Sequence, residues 1–341
     1  MSNPRVVIVG ATGAVGRMAL RILEERDFPL DSLRLTASHR SIGKTMTFKG
    51  QELTVEATTT DLLSKCDIAF VSANDEISRE IGELGPKQGC TVIDDSGVWR
   101  MDPSVPLVVP EVNADDIDWH RGILAIPNCS TTPLAMVLAA LSPSNPIRRV
   151  IASTYQSVSG TGSAAVQELT TQTGQVLAEK PTIAKSYPHQ IAFNVLPHIG
   201  SLKEDGYYSE EVKMREETQK ILHAEIAIST TCVRVPVAIC HSEAIHLEFD
   251  HPMTPEEARD RLAAFPGIVV IDDPANAKYP MPIDATGCDE TFVGRIRPDS
   301  SNANGIALWV VSDNLRKGAA TNAVQIAEEL VKRNAFIRES V

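Results

Sequence analysis

The stretch Arg5–Arg26, RVVIVGATGAVGRMALRILEER, decides the fold. It opens with a Val and Ile run that is typical of a buried strand, and it closes with apolar residues at helical spacing. Between the two lies GATGAVG, with Gly10, Gly13 and Gly16. Glycines at a strand-to-helix turn let the backbone approach a pyrophosphate, and the helix N terminus offers it N–H groups. The stretch predicts a dinucleotide-binding βα unit; a glycine turn without a ligand is the alternative.

The first third of the chain continues this alternation of strands and helices. A helical stretch around Ile77–Gln88 separates two of the strands. Apolar strands alternating with helices are typical of a parallel sheet covered on both faces. Four more stretches have the character of strands: Leu33–Ser38, Asp67–Ser72, Thr91–Ser96 and Gly122–Pro127.

The sequence pattern changes near Cys129, from alternating strands and helices to long β-branched runs. Cys129–Leu141 predicts a helix, and β-branched runs follow it: Arg148–Gly160, Thr230–Phe249, Thr291–Asp299 and Gly305–Asn314. The last two have no helix between them, which favours a mixed or antiparallel sheet. We therefore predict an α/β protein. A Rossmann-like parallel-sheet domain comprises residues 1–128 and a C-terminal helix in 315–341, and an α+β domain with a mixed sheet comprises residues 129–314.

Composition excludes several classes of function. The 341 residues carry a formal charge of −12, from 32 Lys and Arg against 44 Asp and Glu. Such an acidic chain is a poor candidate for binding nucleic acid. No apolar stretch approaches the roughly 18 residues of a membrane span, and the N terminus lacks a signal-type apolar segment. None of the six cysteines forms a Cys-x-x-Cys pair, so we expect no metal site and a reducing, cytoplasmic setting.

The end of the second predicted strand indicates which dinucleotide binds. Sites for NAD usually place Asp or Glu there to bind the ribose hydroxyls. Here the strand ends in Ser38-His39-Arg40-Ser41, without a carboxylate. A guanidinium can bind a 2′-phosphate through charge-assisted hydrogen bonds. We therefore predict NADP as the cofactor, and a solvated loop charge is the alternative reading of Arg40.

Cys129 lies in IPNCSTTP, at or just before a predicted helix N terminus. The helix dipole there favours a thiolate, and the N–H groups could hold an oxyanion. With a nucleotide domain, this suggests that the thiolate adds to an aldehyde and that hydride leaves to the nicotinamide. Water, phosphate or CoA would then attack the thioester and take the acyl group from the cysteine sulfur. The alternatives are a small core cysteine and a hydrolase or acyltransferase using Cys129 and His241, against which the glycine turn and Arg40 argue.

Motifs along nearly the whole chain resemble those of bacterial aspartate-β-semialdehyde dehydrogenases. They occur in family order: GATGAVG, ASHRSIGK, VPLVVPEVN, PNCST, STYQSVSGTG, IAFNVLPHIG, EEVKMREET, CVRVPVAICHSEAI, ETFVGRIR and WVVSDNLRKGAA. The resemblance implies that L-aspartate 4-semialdehyde, phosphate and NADP⁺ are interconverted with L-4-aspartyl phosphate and NADPH through a cysteine thioester. It also implies a place in the biosynthesis of Lys, Thr, Met and Ile, and a homodimer or dimer of dimers formed through the β-rich domain.

The same resemblance implies roles for individual residues. In catalysis, Cys129 is the nucleophile, His241 the acid and base, and Gln156 the residue that orients the substrate. Arg234 binds the substrate carboxylate, Glu210 and Lys213 contact the amino group and the phosphate, and Arg100 is the other phosphate ligand. The NADP site comprises Gly10, Thr12, Gly13, Ala14, Val15, Arg40, Ser41, Ser159, Gly160 and Asn314. No metal is implied.

The spacing of these residues supports some roles and questions others. Glu210 and Lys213 are three apart in a helix-like stretch and share a face, although a plain surface ion pair would have the same spacing. Arg234 and His241 are seven apart (241 − 234 = 7). On one straight strand that odd separation places them on opposite faces, so the chain must bend near Pro236. Without the resemblance, His241 could equally be a core histidine.

Two departures from the family pattern bear on activity. The small Gly/Ser-rich loop of the family is Ala73-Asn74-Asp75-Glu76 here, and its Asp-Asn-Ser is Asp94-Asp95-Ser96. Carboxylates near cofactor phosphates are unfavourable unless they face solvent. Either departure could lower activity, alter the cofactor preference or mark a paralogue with a modified substrate. The alternative functions are an acyl-phosphate reductase of the N-acetylglutamyl-phosphate type, against which the EEVK helix and the Arg234–His241 spacing argue by resemblance, and an altered paralogue that serves as a binding or assembly subunit.

Overall fold

The structure, a computed structural model, describes residues 3–143 and 145–337. The described residues form two compact units. The first unit is drawn from Met1–Pro127 and Ala319–Val341, and the second from Asn128–Gly318. The domain boundaries predicted from sequence differ from this division, because they assign residues 128 and 315–318 to the first domain. Residues 1, 2, 144 and 338–341 of the predicted ranges lie outside the described residues.

The first unit contains a seven-stranded sheet in the order β3-β4-β2-β1-β5-β6-β7. All its neighbours pair in parallel except β3 and β4, which form an antiparallel hairpin. This confirms the predicted Rossmann-like sheet and adds a hairpin that the sequence analysis missed. The strands are β1 Arg5–Val9, β2 Ser32–Ala37, β3 Thr45–Phe48, β4 Gln51–Ala57, β5 Ile68–Val71, β6 Thr91–Asp94 and β7 Ile123–Ala125.

The second unit contains a six-stranded sheet in the order β11-β12-β13-β10-β8-β9. Its pairs β8–β9 and β11–β12 are parallel and the others antiparallel, so the predicted mixed sheet is confirmed. The strands are β8 Ile147–Gln156, β9 Ala227–Arg234, β10 His241–Phe249, β11 Ile268–Val270, β12 Thr291–Pro298 and β13 Gly305–Ser312.

The run Thr230–Phe249 is two strands, with the break near Pro236 that the spacing of Arg234 and His241 predicts. The chain leaves the sheet after Arg234 and re-enters it at His241, on the other side of β8. The segment between them contains Pro236, which cannot donate to a strand ladder, and Cys240, whose φ of 72° lies in the left-handed region. The predicted bend is therefore a crossover that carries the chain from one side of β8 to the other.

Helices cover the sheets. They are α1 Ala14–Glu25, α2 Asp75–Leu84, α3 Pro110–Asn113, α4 Thr131–Leu141, α5 Ser163–Leu177, α6 Ser209–Leu222, α7 Pro255–Ala264, α8 Pro282–Ala285 and α9 Thr321–Arg333. The helix predicted at Cys129 thus begins at Thr131. The predicted C-terminal helix begins as a π-helical turn, Arg316–Ala320, before α9. No helix among the described residues has the length and apolar character that crossing a bilayer requires.

The core of the first unit joins the two ends of the chain. Val6 and Ile8 of β1 and Ile22 of α1 pack in one buried cluster with Val324 and Leu330 of α9. Each buried aliphatic side chain of this size contributes about 1.5–3 kcal/mol. The same packing fixes the glycine turn between β1 and α1, because both flanking elements are held in the core.

Alternation along β8 gives the second sheet two different faces. Ala152, Thr154 and Gln156 are buried, whereas Ile151 and Tyr155 are 39% and 40% exposed. Polar residues at the end of the buried face, such as Thr154 and Gln156, therefore lie within the unit rather than in solvent.

Candidate active site

Cys129 lies in the turn immediately before α4, where Ser130 is the N-cap residue. The Asn128 side-chain oxygen accepts from the Ser130 N–H at 2.9 Å, and its carbonyl accepts from the Thr132 N–H at 3.1 Å. The turn is crowded on another side, because a Cβ on Gly318 would lie 3.0 Å from the Cys129 Cβ. A half-buried thiol thus stands at the start of α4, in the position predicted.

The Glu210 carboxylate connects this turn to the sheet. Its Oε1 accepts from Asn128 Nδ2 at 2.8 Å and from Gln156 Nε2 at 3.0 Å. Lys213 Nζ lies 3.6 Å from Oε2, one helical turn along α6. Thr154 Oγ1 donates to Gln156 Oε1 at 3.1 Å and so sets the orientation of the amide. The structure therefore brings together Gln156, Glu210 and Lys213 beside the turn that carries the cysteine.

Gln156 also stands between Arg234 and His241. It is in register with Arg234 of β9, and the register of Ser242 with Tyr155 places His241 beside it on β10. The odd spacing of Arg234 and His241 is consistent with this placement, because the crossover removes the single-strand geometry. All three side chains are buried.

The hydrogen bonds of His241 fix its tautomer. The Ser157 backbone N–H donates to Nδ1 at 3.0 Å, and the Ser157 hydroxyl lies 3.1 Å from the same nitrogen. A backbone amide can only donate, so Nδ1 holds a lone pair and the neutral ring carries its proton on Nε2. Burial, followed by the nearby charge of Arg234, lowers the pKa of His241 to about 3. His241 is therefore a neutral donor through Nε2 at physiological pH.

Arg234 provides the positive charge of this site. Its Nη1 donates to the Ser157 carbonyl at 2.6 Å, and its guanidinium lies 5.9 Å from the ring centre of Tyr187. A Cβ on Gly160 would lie 3.2 Å from Arg234 Nη1 and 3.3 Å from His241 Nε2. The glycine thus keeps the space in front of both groups open, which suits an anionic oxygen.

Two residues predicted to bind the cofactor, Ser159 and Asn314, are connected to His241 through Ser157. The Asn314 side-chain oxygen accepts from the hydroxyls of Ser157 and Ser159, at 3.1 and 3.0 Å, and from the Cys240 N–H at 3.0 Å. The structure therefore brings Ser159 and Asn314 together. It links both to the residue that holds the His241 ring.

The glycine turn of the first unit forms a close-fitting cradle. Gly10 has φ of 85°, and a Cβ there would lie 2.0 Å from the Ser72 carbonyl oxygen. Gly13 is the N-cap of α1 and has no side chain to cap it. The N–H groups of Ala14 and Val15, the first helical residues, have no intrahelical acceptor. This donor set fits a pyrophosphate.

The adjacent end of β2 fits a further phosphate. Thr12 Oγ1 donates to Ser41 Oγ at 3.1 Å, which joins two predicted cofactor residues. Arg40 lies exposed in the short helical turn after β2, and Lys44 Nζ is 3.5 Å from Ser41 Oγ. Two cations and two hydroxyls without a carboxylate suit the 2′-phosphate of NADP.

Arg100 and Asp95 adjoin each other in the first unit. Arg100 Nη2 donates to the Asp95 carbonyl at 2.8 Å, and the Ser72 hydroxyl donates to the Asp95 carboxyl at 3.2 Å. Burial raises the pKa of Asp95 to about 6, against the opposing charge of Arg100. Arg100 and Lys213, both predicted phosphate ligands, belong to different units.

The acidic pair Asp75 and Glu76 has a structural explanation. Both are exposed residues in the first turn of α2, where Asn74 caps the helix by accepting from the Ile77 N–H at 3.0 Å. Negative charge at a helix N terminus is favourable. These carboxylates face solvent, which is the condition under which the departure from the family pattern is tolerable.

Several residues of the site were not predicted from the sequence: Asn128, Ser157, Lys44 and Glu217. Glu217 Oε2 accepts a hydrogen bond from the Asn128 N–H at 2.7 Å. Asn128 and Ser157 each adjoin a predicted site residue in the chain, which was the available signal. Glu217 had none, because its partner is 89 residues away.

Comparisons with known proteins identify the family of this chain. Family models of semialdehyde dehydrogenases match residues 5–120 as the NAD-binding domain and 138–317 as the dimerisation domain. The aspartate-semialdehyde dehydrogenase of Aquifex aeolicus is 54% identical over 96% of this chain and 98% of its own length. The chain belongs to the aspartate-semialdehyde dehydrogenase family. The Bacillus subtilis aspartate-semialdehyde dehydrogenase is 46% identical, with the same two coverages.

Solved structures of aspartate-semialdehyde dehydrogenases have the same fold. Enzyme II of Vibrio cholerae, complexed with ASA, has a TM-score of 0.95 and 44% identity, covering 97% of this chain and 99% of its own. The Candida albicans aspartate-semialdehyde dehydrogenase with NADP has a TM-score of 0.77 and 26% identity, covering 98% and 100%. The family resemblance and the two-part α/β fold predicted from the motifs are thus confirmed.

Proposed function

We propose that this chain is an NADP-dependent phosphorylating dehydrogenase that interconverts L-aspartate 4-semialdehyde, phosphate and NADP⁺ with L-4-aspartyl phosphate and NADPH. One observation carries the proposal. The Glu210 carboxylate accepts hydrogen bonds from Asn128, which precedes the cysteine, and from Gln156, which stands between Arg234 and His241. The names of the relatives support the substrate, and they imply a role in making amino acids from aspartate, namely Lys, Thr, Met and Ile.

The charges of the site match the two ends of an α-amino acid. Arg234, buried and cationic, is suited to the substrate carboxylate. Glu210 is suited to the ammonium group, because its carboxylate is an anion within hydrogen-bond distance of the Gln156 amide. Gln156, between them, orients the substrate. The aldehyde carbon at the other end of this short molecule is then directed to Cys129.

The chemistry follows from Cys129 and the Nε2 proton of His241. The Cys129 sulfur adds to the aldehyde carbon, and His241 donates a hydrogen bond to the oxygen on which charge develops. NADP⁺, when bound, supplies the hydride acceptor. Once the carbon is oxidised, Cys129 holds the acyl group as a thioester. Phosphate attacks the thioester and the sulfur departs as thiolate; Lys213 and Arg100 are the phosphate ligands that the family resemblance implies.

The preference for NADP over NAD is part of the proposal. Arg40, Ser41 and Thr12 would hold the ribose phosphate, with Lys44 adding a second cation. The glycine turn with Ala14 and Val15 would hold the pyrophosphate. Ser159, Gly160 and Asn314, which belong to the second unit, are the further NADP residues that the family resemblance implies.

We also propose a cytoplasmic homodimer. The face of the second sheet opposite the site exposes Ile151 and Tyr155, and Tyr155 packs 5.3 Å from the ring of Trp309. An apolar sheet face of this kind fits a second copy, and the matching family model is named for dimerisation. All six cysteines, each within the described residues, are thiols, which suits a reducing compartment. Light scattering that gives a monomer mass would refute the dimer.

A spectrophotometric assay tests the activity. Wild-type protein with aspartate semialdehyde, phosphate and NADP⁺ should form NADPH, and Cys129→Ala should not. Cys288→Ala, which removes a thiol outside the site, is the matched control and should retain activity. Absence of NADPH formation by the wild type at any phosphate concentration would refute the proposal and favour a binding or assembly role. Turnover of an N-acetylglutamyl substrate in its place would identify the related reductase.

A further inference from the structure

Tyr187 contacts the cation of the site from a loop to which the mechanism above gives no role. The Arg234 guanidinium lies over its ring, 5.9 Å from the ring centre, and the Tyr187 hydroxyl donates to Thr161 Oγ1 at 2.9 Å. A guanidinium within about 6 Å of a ring centre is attracted by the negative face of the ring. Tyr187 is thus tied to the site by its ring face and by its hydroxyl.

The Arg234 guanidinium has few other constraints. Among the described residues, its one hydrogen bond runs from Nη1 to the Ser157 carbonyl, at 2.6 Å, and Nε is buried without a partner. A single hydrogen bond fixes one nitrogen and leaves the guanidinium plane free to turn about it. A carboxylate is bound best by two parallel N–H groups on one edge of the guanidinium, so the direction of that plane decides how well it binds.

A buried carboxylate holds the loop that carries Tyr187. Glu168 of α5 is 9% exposed; its Oε1 accepts from the Lys185 N–H at 3.0 Å and its Oε2 from the Ser186 N–H at 2.6 Å. These two residues directly precede Tyr187 in the chain. Pro188 follows it and restricts the Tyr187 backbone to extended conformations. The side chain of Tyr187 therefore starts from a fixed position.

Gln172, one helical turn further along α5, holds the continuation of the loop. Its Oε1 accepts from the N–H groups of Ile191 and Ala192, at 3.0 and 3.2 Å. Further along, Leu196 exchanges two backbone hydrogen bonds with Arg234, at 2.8 and 2.9 Å. The same segment therefore contacts both the backbone and the guanidinium of Arg234.

We propose that Tyr187 is a positioning residue that sets the plane of the Arg234 guanidinium for the substrate carboxylate. The Ser157 carbonyl holds one nitrogen of that group and the ring of Tyr187 lies against it, so the Nε edge is presented in a single direction. The inference deepens the proposed function, because it rests on Arg234 as the carboxylate ligand. The ring face should matter for substrate binding more than the hydroxyl does, since Thr161 only tethers the ring.

Steady-state kinetics distinguish this role from general support of the fold. Tyr187→Leu should raise KM for aspartate semialdehyde about five- to ten-fold, the loss of one cation–π contact to a buried guanidinium. Because the contact acts on binding, kcat and the KM values for phosphate and NADP⁺ should stay within about two-fold. Tyr187→Phe keeps the ring and should stay within about three-fold in every constant, as should Thr161→Val, which removes the same hydrogen bond from the other side.

A double-mutant cycle tests whether the effect passes through Arg234. In an Arg234→Gln background, Tyr187→Leu should lower kcat/KM by less than about two-fold, because the partner of the ring is already gone. A loss in that background as large as in the wild type would overturn the proposal. So would a Tyr187→Phe as impaired as Tyr187→Leu, or KM values for phosphate and NADP⁺ that rise together with that for aspartate semialdehyde.

Should Tyr187→Leu fail to fold, Glu168→Gln tests the same role through the loop. The amide keeps the shape of the side chain but places an NH₂ group against a backbone N–H, so the hold on the loop is weakened. The KM for aspartate semialdehyde should again rise selectively, and an unchanged KM would overturn the proposal.

Nuclear magnetic resonance gives a readout without turnover. In protein labelled with ¹⁵N-arginine, the Arg234 Nε–H resonance is identified by its absence from Arg234→Gln. The ring should shield it, so the resonance should move in Tyr187→Leu and stay near its place in Tyr187→Phe. An identical resonance in wild type and Tyr187→Leu refutes the inference even if the enzyme is active. The expected shift in a wild type that does not turn over aspartate semialdehyde refutes the proposed function and leaves Tyr187 as the residue that orients Arg234.

Discussion

Replacing Asp95 by Asn should stabilise the protein more as the pH rises. The pKa of Asp95 is raised from its ordinary value of 3.8 to about 6, mainly by burial. The folded state therefore holds its proton more tightly than the unfolded state does. The favourable contribution of the neutral carboxyl is complete below pH 3.8 and is lost as the pH rises through 6. Asparagine keeps the shape and an oxygen that can accept from Ser72, but it does not ionise.

The expected magnitude follows from the shift. At 1.36 kcal/mol per pKa unit, ionising Asp95 costs the fold at most about 3 kcal/mol above pH 7. At pH 4.5, where the unfolded carboxyl is already mostly ionised, the cost is about 1 kcal/mol. The stability difference between Asp95→Asn and wild type should thus grow about three-fold between these pH values. For a unit of this size, 3 kcal/mol corresponds to about 6–12 °C in Tm.

Scanning calorimetry of both proteins at half-unit steps from pH 4.5 to 8 measures this difference. Ser72→Ala sharpens the test, because the Ser72 hydroxyl stabilises the ionised carboxyl. Its loss should move the midpoint of the pH dependence upward. A stability difference that is the same at every pH, or a wild type more stable than Asp95→Asn at pH 8, would show that the carboxyl is not held neutral by its surroundings.

Three further predictions concern the site. Gly318→Ala places a methyl 3.0 Å from the Cys129 Cβ and should lower kcat/KM at least ten-fold with an unchanged circular dichroism spectrum; normal activity would mean that the turn yields freely. His241, with a pKa of about 3, should remain neutral with its proton on Nε2 between pH 5 and 8, as ¹⁵N NMR of labelled histidine reports, and a proton on Nδ1 would contradict the tautomer. Arg40→Ala should weaken NADP⁺ binding about ten-fold in calorimetry and leave NAD⁺ binding nearly unchanged; equal losses for both would remove the argument for a 2′-phosphate contact.

Local patterns predicted the parts of the fold that local physics controls. The Val and Ile run of β1, the glycine turn and the apolar face of α1 are adjacent in sequence, and the structure has them as expected. The hairpin Thr45–Ala57 was missed because its first strand is only four residues long and its second carries the charged residues Glu52 and Glu56. The spacing of Arg234 and His241 predicted a bend near Pro236, but not the pairing of β9 and β10 with opposite edges of β8, because strand propensity says nothing about which neighbour a strand pairs with.

In the site, too, contacts between residues that are far apart in sequence were not predicted. Asn128 and Gln156 meet on one oxygen of Glu210 across sequence separations of 82 and 54 residues. No rule of residue spacing predicts that two amides donate to the same carboxylate oxygen. The family motifs identified Gln156 and Glu210 as site residues but not the hydrogen bonds between them. The tautomer of His241 likewise depends on a backbone amide that comes from another strand's end.

The packing of α9 has a consequence for synthesis on the ribosome. The first unit is encoded first, yet its buried cluster includes Val324, Ile326 and Leu330 from the last helix. Domains usually fold in the order in which they emerge. Here Asn128–Gly318 is fully translated while the first unit still lacks a helix of its core. The half that emerges first is thus the last to be completed, because its core must wait until α9 has left the ribosome.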